Sequence, residues 1–247
     1  MSRYFIEVKY KGNNYAGFQV QQNAVTIQQE VEKALQIFFR RKINLTGSSR
    51  TDAGVHALQN FFHFDEEGIG EDCVYNLNAI LPGDVSVTRV TKMKKEDAHC
   101  RFDALSRQYR YTVYGKKDPF ISDRAYFFPF TINAGLMKEA ARVVKEYRDF
   151  GAFAKRNSQV KTFNCTILES SWQESGERLE YVVRANRFLR GMVRGLVGTM
   201  LQVGRGKITI EDFRSIIESK DSARADFAVP GHGLCLEKVE FEGGYFD

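Results

Sequence analysis

Segments with a two-residue apolar period and segments with a helical apolar period alternate along this chain, and the order runs twice. Between Arg3 and Tyr10, Tyr4, Ile6, Val8 and Tyr10 share one face while Arg3, Glu7 and Lys9 share the other, the pattern of a half-exposed strand. Thr26-x-x-Gln29 reads as a capping box opening a helix, and Ile27, Val31, Leu35 and Phe38 recur as its core stripe. A strand-like stretch from Leu58 to Phe64 follows, then a helical stretch from Glu71 to Leu81 stopped by Pro82-Gly83, then a strand carrying Val85, Val87 and Val90.

The order restarts at a strand from Arg107 to Tyr114, followed by a helix face of Leu136, Ala140, Val143 and Tyr147. Thr166 to Trp172 and Leu179 to Ala185 form a hairpin about the polar turn Glu174-Ser175-Gly176-Glu177. Phe188 to Leu201 is predicted helical, Thr209-x-x-Asp212 caps a further short helix, and Cys235 to Phe241 is the closing strand. Each half therefore reads roughly as β-α-β-β-α-β, the ferredoxin-like unit. Periodicity alone supports an α+β class, with a boundary in Ala104-Leu105-Ser106 that separates residues 1–105 from residues 106–247.

At 247 residues with 43% hydrophobic and 27% charged side chains, the chain has the make-up of a folded protein and can bury a sizeable core. Lys and Arg number 36 against 31 Asp and Glu, a net charge of +5 that permits a polyanionic partner without demanding one. The four cysteines, Cys73, Cys100, Cys165 and Cys235, form no Cys-x-x-Cys pair, and the four histidines, His56, His63, His99 and His232, have no metal-ligand spacing with them. Structural zinc and a disulfide scaffold are therefore not expected. The chain opens directly into Arg3-Tyr4-Phe5-Ile6, without a basic leader or an apolar run of signal-peptide length, and no stretch approaches about 18 apolar residues. Free thiols and no targeting segment lead to the expectation of a cytoplasmic protein.

One connection stands apart. Gly47-Ser48-Ser49-Arg50-Thr51-Asp52-Ala53-Gly54-Val55-His56-Ala57 is small, polar and glycine-flanked, and it joins the first helix to the next strand. Gly47 and Gly54 supply permissive backbone, but a turn does not require an Arg and an Asp two residues apart between them. By residue type alone, Arg50 and Asp52 read as a turn residue and its solvated neighbour; loops on a rigid scaffold are also where catalytic groups are mounted.

The string Arg50-Thr51-Asp52-Ala53-Gly54-Val55-His56-Ala57 closely resembles the active-site motif of the TruA family of tRNA pseudouridine synthases, and the resemblance covers essentially the whole chain. It includes Tyr15-Ala16-Gly17-Phe18-Gln19 with Gln21 and Gln22, Asn78-Ala79-Ile80-Leu81-Pro82-Gly83-Asp84, and His99-Cys100-Arg101-Phe102-Asp103-Ala104. Further on come Arg107-Gln108-Tyr109-Arg110-Tyr111, Ala185-Asn186-Arg187-Phe188-Leu189-Arg190-Gly191-Met192-Val193-Arg194, and Gly233-Leu234-Cys235-Leu236, all in the family's order. The resemblance implies two ferredoxin-like (RRM-like) lobes sharing a continuous antiparallel sheet with a central cleft. It implies an isomerase that needs no cofactor and no metal and acts on tRNA at positions 38, 39 and 40 of the anticodon stem-loop, as a homodimer. Where many family members carry Trp, this chain has Phe18, and the following Val20-Gln21-Gln22-Asn23 is short and uncharged in a region that grips RNA in the family.

Pseudouridine formation breaks the N1–C1′ bond of a uridine, turns the base and rejoins it through C5, with no redox change. It needs a nucleophile or base, a grip on the detached uracil, and exclusion of water. The family's catalytic aspartate maps onto Asp52, whose reference pKa of about 3.9 leaves it ionised at neutral pH; attack at C6, attack at C1′ and removal of a C2′ proton all remain open. Arg50 would reach toward the phosphate backbone or the gap left by the extruded base. Tyr109 maps onto the family's active-site tyrosine, which stacks on a flipped pyrimidine, and Leu234 onto the apolar wall on the base's other side; by residue type each is ordinary core packing. Arg187, Arg190 and Arg194 fall at i, i+3 and i+7, on one helical face that is by itself a solvated basic face. The resemblance makes Arg194 a partner that keeps Asp52 ionised, and Arg187 and Arg190 phosphate contacts. His56 reads as a loop-ordering residue, with acid–base work as the alternative.

Two further classes are weighed against this one. A non-catalytic RNA-binding module would use the same ferredoxin-like scaffold, but the aromatic RRM signature is absent and a binding module has no use for Asp52 beside Arg50. A glycosidase-like enzyme needs two carboxylates, and no matched motif supplies the second. Within the same class, a pseudouridine synthase with a different RNA target is the main alternative.

Overall fold

The computed structural model describes residues 1–155 and 160–246, which fall into two compact units: residues 1–105 with 236–247, and residues 106–235. The closing residues 236–247 thus group with the first unit and not with 106–235, where the sequence order put them.

The first unit is built on strands β1 (Ser2–Tyr10), β2 (Thr46–Gly47), β3 (His56–Glu66) and β4 (Val85–Lys92), with helices α1 (Ile27–Phe39) and α2 (Cys73–Ile80). β1 is central, antiparallel to β3 through Tyr4↔Phe64 and Ile6↔Phe62 and to β4 through Ile6↔Val90. Thr26 caps α1 by accepting from the Gln29 N–H; Ile27, Val31 and Leu35 of the predicted stripe are buried, with Ala34 beside them, while Phe38 is half-buried. The β1 reading needs correction: Phe5, on the supposedly exposed face, is 1% exposed. Its ring is packed by Phe61, Phe241, Tyr245 and Phe246, with centroids 5.9–6.5 Å away, so aromatics from the far end of the chain cover that side.

The second unit contains β5 (Ser106–Tyr114), β6 (Tyr126–Phe127), α3 (Ala134–Val144), β7 (Ile167–Ser175), β8 (Arg178–Ala185), α4 (Met192–Gly204) and α5 (Ile210–Ser219); the last strand, β9 (Leu234–Glu240), begins at its edge. β8 is antiparallel to both β5 and β7, and the hairpin turns at Gly176 as expected, where φ is +60°. On α3 the buried residues are Met137, Ala140, Ala141, Val143 and Val144, and the helix stops before Tyr147. Ala140 and Val143 of the predicted face are thus buried, Leu136 and Tyr147 are half-buried, and Met137, Ala141 and Val144 widen the inward side. Thr209 and Asp212 form the full reciprocal capping box of α5.

α4 requires the larger correction. The helix begins at Met192, not Phe188, because Gly191 sits at φ +75°, a left-handed conformation that cannot belong to a right-handed helix and that glycine adopts without strain. Arg187 and Arg190 therefore lie in the loop after β8 and do not share a helical face with Arg194. Among the described residues no helix is long and apolar enough to cross a membrane.

Candidate functional site

In the first unit, the polar connection between β2 and β3 is held at several points. The Ser48 N–H donates to the Phe61 carbonyl at 2.8 Å, the Phe18 N–H to the Thr51 carbonyl at 3.0 Å, and the Gly54 N–H to the Tyr15 carbonyl at 3.3 Å. The Val55 N–H closes a turn onto the Asp52 carbonyl at 3.2 Å. Ser48, Ser49 and Thr51 are buried, Arg50 is exposed and Asp52 is half-buried. Arg50 and Asp52 thus sit on a backbone anchored inward at Ser48, Ser49 and Thr51, which is how a loop becomes a rigid mount.

Gly54 has φ +77°, as a turn former should. Gly47 serves a different purpose: a Cβ there would lie 2.3 Å from Cε1 of Phe18. The Phe18 ring fills that space, 1% exposed and stacked on Phe62 at 4.5 Å with the planes 9° apart. The aromatic position that departs from the family pattern is therefore a core position beneath the loop. His56 is buried, and its Nδ1 accepts from the Gly12 N–H at 3.1 Å, which ties the end of the loop to the segment after β1.

The remaining predicted site residues belong to the second unit. Tyr109 lies on β5 opposite Val183, 7% exposed, with its ring edge-on to Phe188 at 5.1 Å. Leu234 is buried where β9 begins, just after the short turn Gly231–Gly233. Arg194 occupies the first turn of α4, where its charge meets the positive end of the helix. Its Nε donates to the Val229 carbonyl at 2.8 Å and its Nη2 to the Phe227 carbonyl at 3.4 Å, acceptors that offset that cost and fix the guanidinium against residues 227–229. Arg187 is half-buried and Arg190 exposed, and the Arg190 carbonyl accepts from the Lys155 N–H at 2.9 Å. Arg50 and Asp52 are thus brought together in one unit, and Tyr109, Leu234 and the three arginines are carried by the other.

Sequence spacing missed a cluster of His63, His99 and Cys100, whose ligand-type atoms all lie within 4.8 Å of one another. His63 comes from β3 and the other two from the segment after β4, so only the folded chain brings them together; the adjacent His-Cys pair was the one local signal. The His63 Nδ1 accepts from the Cys100 N–H at 3.3 Å, and the His99 Nδ1 accepts from the N–H groups of Arg101 and Phe102 at 3.2 and 3.4 Å. Burial pushes the His63 imidazole down to about 4, so it is neutral across the physiological range. With both Nδ1 lone pairs turned to backbone N–H groups, the cluster reads as a hydrogen-bonded packing patch and not as a metal centre.

A sequence model of the family described as tRNA pseudouridine synthase matches residues 6–103 and 147–242. The chain is 46% identical over 245 residues to a tRNA pseudouridine synthase A of Parabacteroides distasonis, covering 98% of this chain and 96% of that protein. It is 44% identical over 251 residues to the protein of the same name from Bacteroides thetaiotaomicron, covering 100% and 93%. With its counterpart from Staphylococcus aureus strain Newman it shares 39% over 241 residues, covering 96% and 90%.

Proposed function

The chain belongs to the tRNA pseudouridine synthase family, isomerases that convert uridine to pseudouridine, and we propose that it acts at positions 38, 39 and 40 of the tRNA anticodon stem-loop with Asp52 as the catalytic nucleophile or base. The observation that carries this reading is the anchored loop: a half-buried carboxylate beside an exposed arginine, on a backbone tied to its own unit at Ser48, Thr51 and Gly54. Asp52 supplies the attack or proton removal that loosens the N1–C1′ bond. Arg50 takes the place vacated when the nucleotide leaves the stack. Tyr109 holds the uracil by its ring face, Leu234 supplies apolar wall, and Arg194 is the further residue that the resemblance assigns to the reaction. Nothing in this chemistry calls for a metal or a cofactor, since the reaction releases the C5 hydrogen as a proton while N1 gains one. Two ferredoxin-like lobes and a homodimeric state, as the resemblance implies, and a cytoplasmic location, as the free thiols suggest, complete the proposal.

The direct test incubates purified protein with unmodified tRNA and maps pseudouridine by position. The expected result is conversion confined to positions 38, 39 and 40; conversion elsewhere alone would assign a different RNA target, and none at all would remove the activity.

Arg187 and Arg190 are proposed as phosphate contacts in the loop before α4. Alanine at either one should weaken tRNA binding across substrates and lower the log–log salt slope by about 0.7–0.9. Binding isotherms at several salt concentrations measure this, and an unchanged slope would assign both side chains to solvent or to protein.

A further inference from the structure

β3 contributes an asparagine to a core whose nearest buried strand neighbours are aromatic. Asn60 is 0% exposed between strand neighbours of the type of Phe61, Phe62 and Phe64, and such a burial is costly unless every polar group is matched. Its Nδ2 donates to the Ser49 carbonyl at 2.8 Å and to the Tyr10 hydroxyl at 3.2 Å, while its Oδ1 accepts from the Phe61 N–H at 2.9 Å. The Tyr10 hydroxyl in turn shares a 2.8 Å hydrogen bond with Thr51 Oγ1. Both amide donor contacts thus serve the same short segment: Ser49 directly, on one side of Arg50, and Thr51 through Tyr10, on the other. The Thr51 carbonyl is held separately by the Phe18 N–H, so the residue before Asp52 is fixed at main chain and side chain alike.

We propose that Tyr10 and Asn60 are positioning residues for pseudouridine formation, clamping Ser49 and Thr51 from β1 and β3 so that Arg50 and Asp52 are presented in one fixed orientation. This rests on the reading of Asp52 as the catalytic carboxylate. Tyr10, Asn60, Ser49 and Thr51 are all buried, where hydrogen bonds are strong and an unmade one is costly. A sheet in need of stability alone would place an apolar residue at position 60; the amide is used to order the loop.

The test compares Tyr10→Phe, Thr51→Val and Thr51→Ser with the parent chain, measuring single-turnover pseudouridine formation, tRNA affinity and thermal stability. Tyr10→Phe keeps the ring and its packing beside Phe18 while removing the hydroxyl; Thr51→Val keeps the shape and loses the hydrogen bond. Both should lower the turnover rate about 10- to 100-fold, the scale of a misplacement near 1 Å, with tRNA affinity little changed. Thr51→Ser, which restores the hydroxyl, should recover most of the rate. Full turnover in Tyr10→Phe and Thr51→Val would overturn the inference, and so would rate, affinity and stability falling together without recovery in Thr51→Ser. Should Tyr10→Phe fail to fold, the Thr51 pair decides. Asp52→Asn is measured in parallel: if it still turns over, the catalytic reading fails, and if it is inactive while the Tyr10 and Thr51 variants are fully active, only the positioning inference fails.

Discussion

Asp52→Asn is expected to fold and bind tRNA like the parent chain while losing pseudouridine formation by about 10²–10⁴-fold, the usual contribution of a positioned acid–base group. The amide preserves the shape of the side chain and removes its charge and basicity. The loop itself is held by other groups: the carbonyls and N–H groups of Ser48, Thr51, Gly54 and Val55, and the Asn60–Tyr10–Thr51 chain, none of which uses the Asp52 carboxylate. A melting temperature within a few degrees of the parent is therefore expected, since about 1 kcal/mol shifts it by only about 2–4 °C in a chain of this size. Single-turnover assays with tRNA, run beside binding and melting curves, separate the outcomes. Substantial turnover by the Asn variant would take Asp52 out of the mechanism; a collapse of stability together with turnover would make it a structural residue.

The loop carrying Arg50 and Asp52 stands out in the sequence because its signal is local. Small residues between glycines, carrying Arg50 and Asp52, stand out from any pattern of core periodicity, and the same is true of the caps at Thr26 and Thr209. What the sequence hid was set by distant partners. The exposed face assigned to β1 is covered at Phe5 because Phe241, Tyr245 and Phe246 return to it from the other end of the chain, and no window of local period can register that. The early start given to α4 came from an apolar run through Leu189 that is compatible with a helix; a single left-handed glycine at position 191 overrides it and detaches Arg187 and Arg190 from Arg194. On α3 the helical spacing picks out Ala140 and Val143, and only the packed side shows that Met137, Ala141 and Val144 are buried with them. The polar clamp under the loop was invisible for a related reason. Asn60 reads as one polar residue in an aromatic strand until the antiparallel register of β3 beside β1 brings it within reach of Tyr10.

Tyr109→Leu and Tyr109→Phe should give different results, and the difference separates two roles for one ring. Tyr109 is almost fully buried on β5, and the edge-to-face contact with Phe188 at 5.1 Å fixes the ring's tilt. Base stacking on such a ring contributes about 1–3 kcal/mol in other systems, which corresponds to a loss of about 5- to 150-fold when Leu replaces it. Phe keeps that stacking and the contact with Phe188. If the ring only stacks, Phe retains near-parent turnover. If the hydroxyl also orients or moves the proton that leaves C5, Phe binds tRNA normally and is crippled in the last step. The strong impairment of Phe is the expected result, because a residue needed only for stacking could equally be phenylalanine, whereas this position carries a phenolic hydroxyl at a buried site. Release of tritium from C5-labelled uridine in tRNA reports the final step directly, since C5 gives up its hydrogen on bonding to C1′. Full activity in both variants would leave Tyr109 with no duty beyond packing β5 against Phe188.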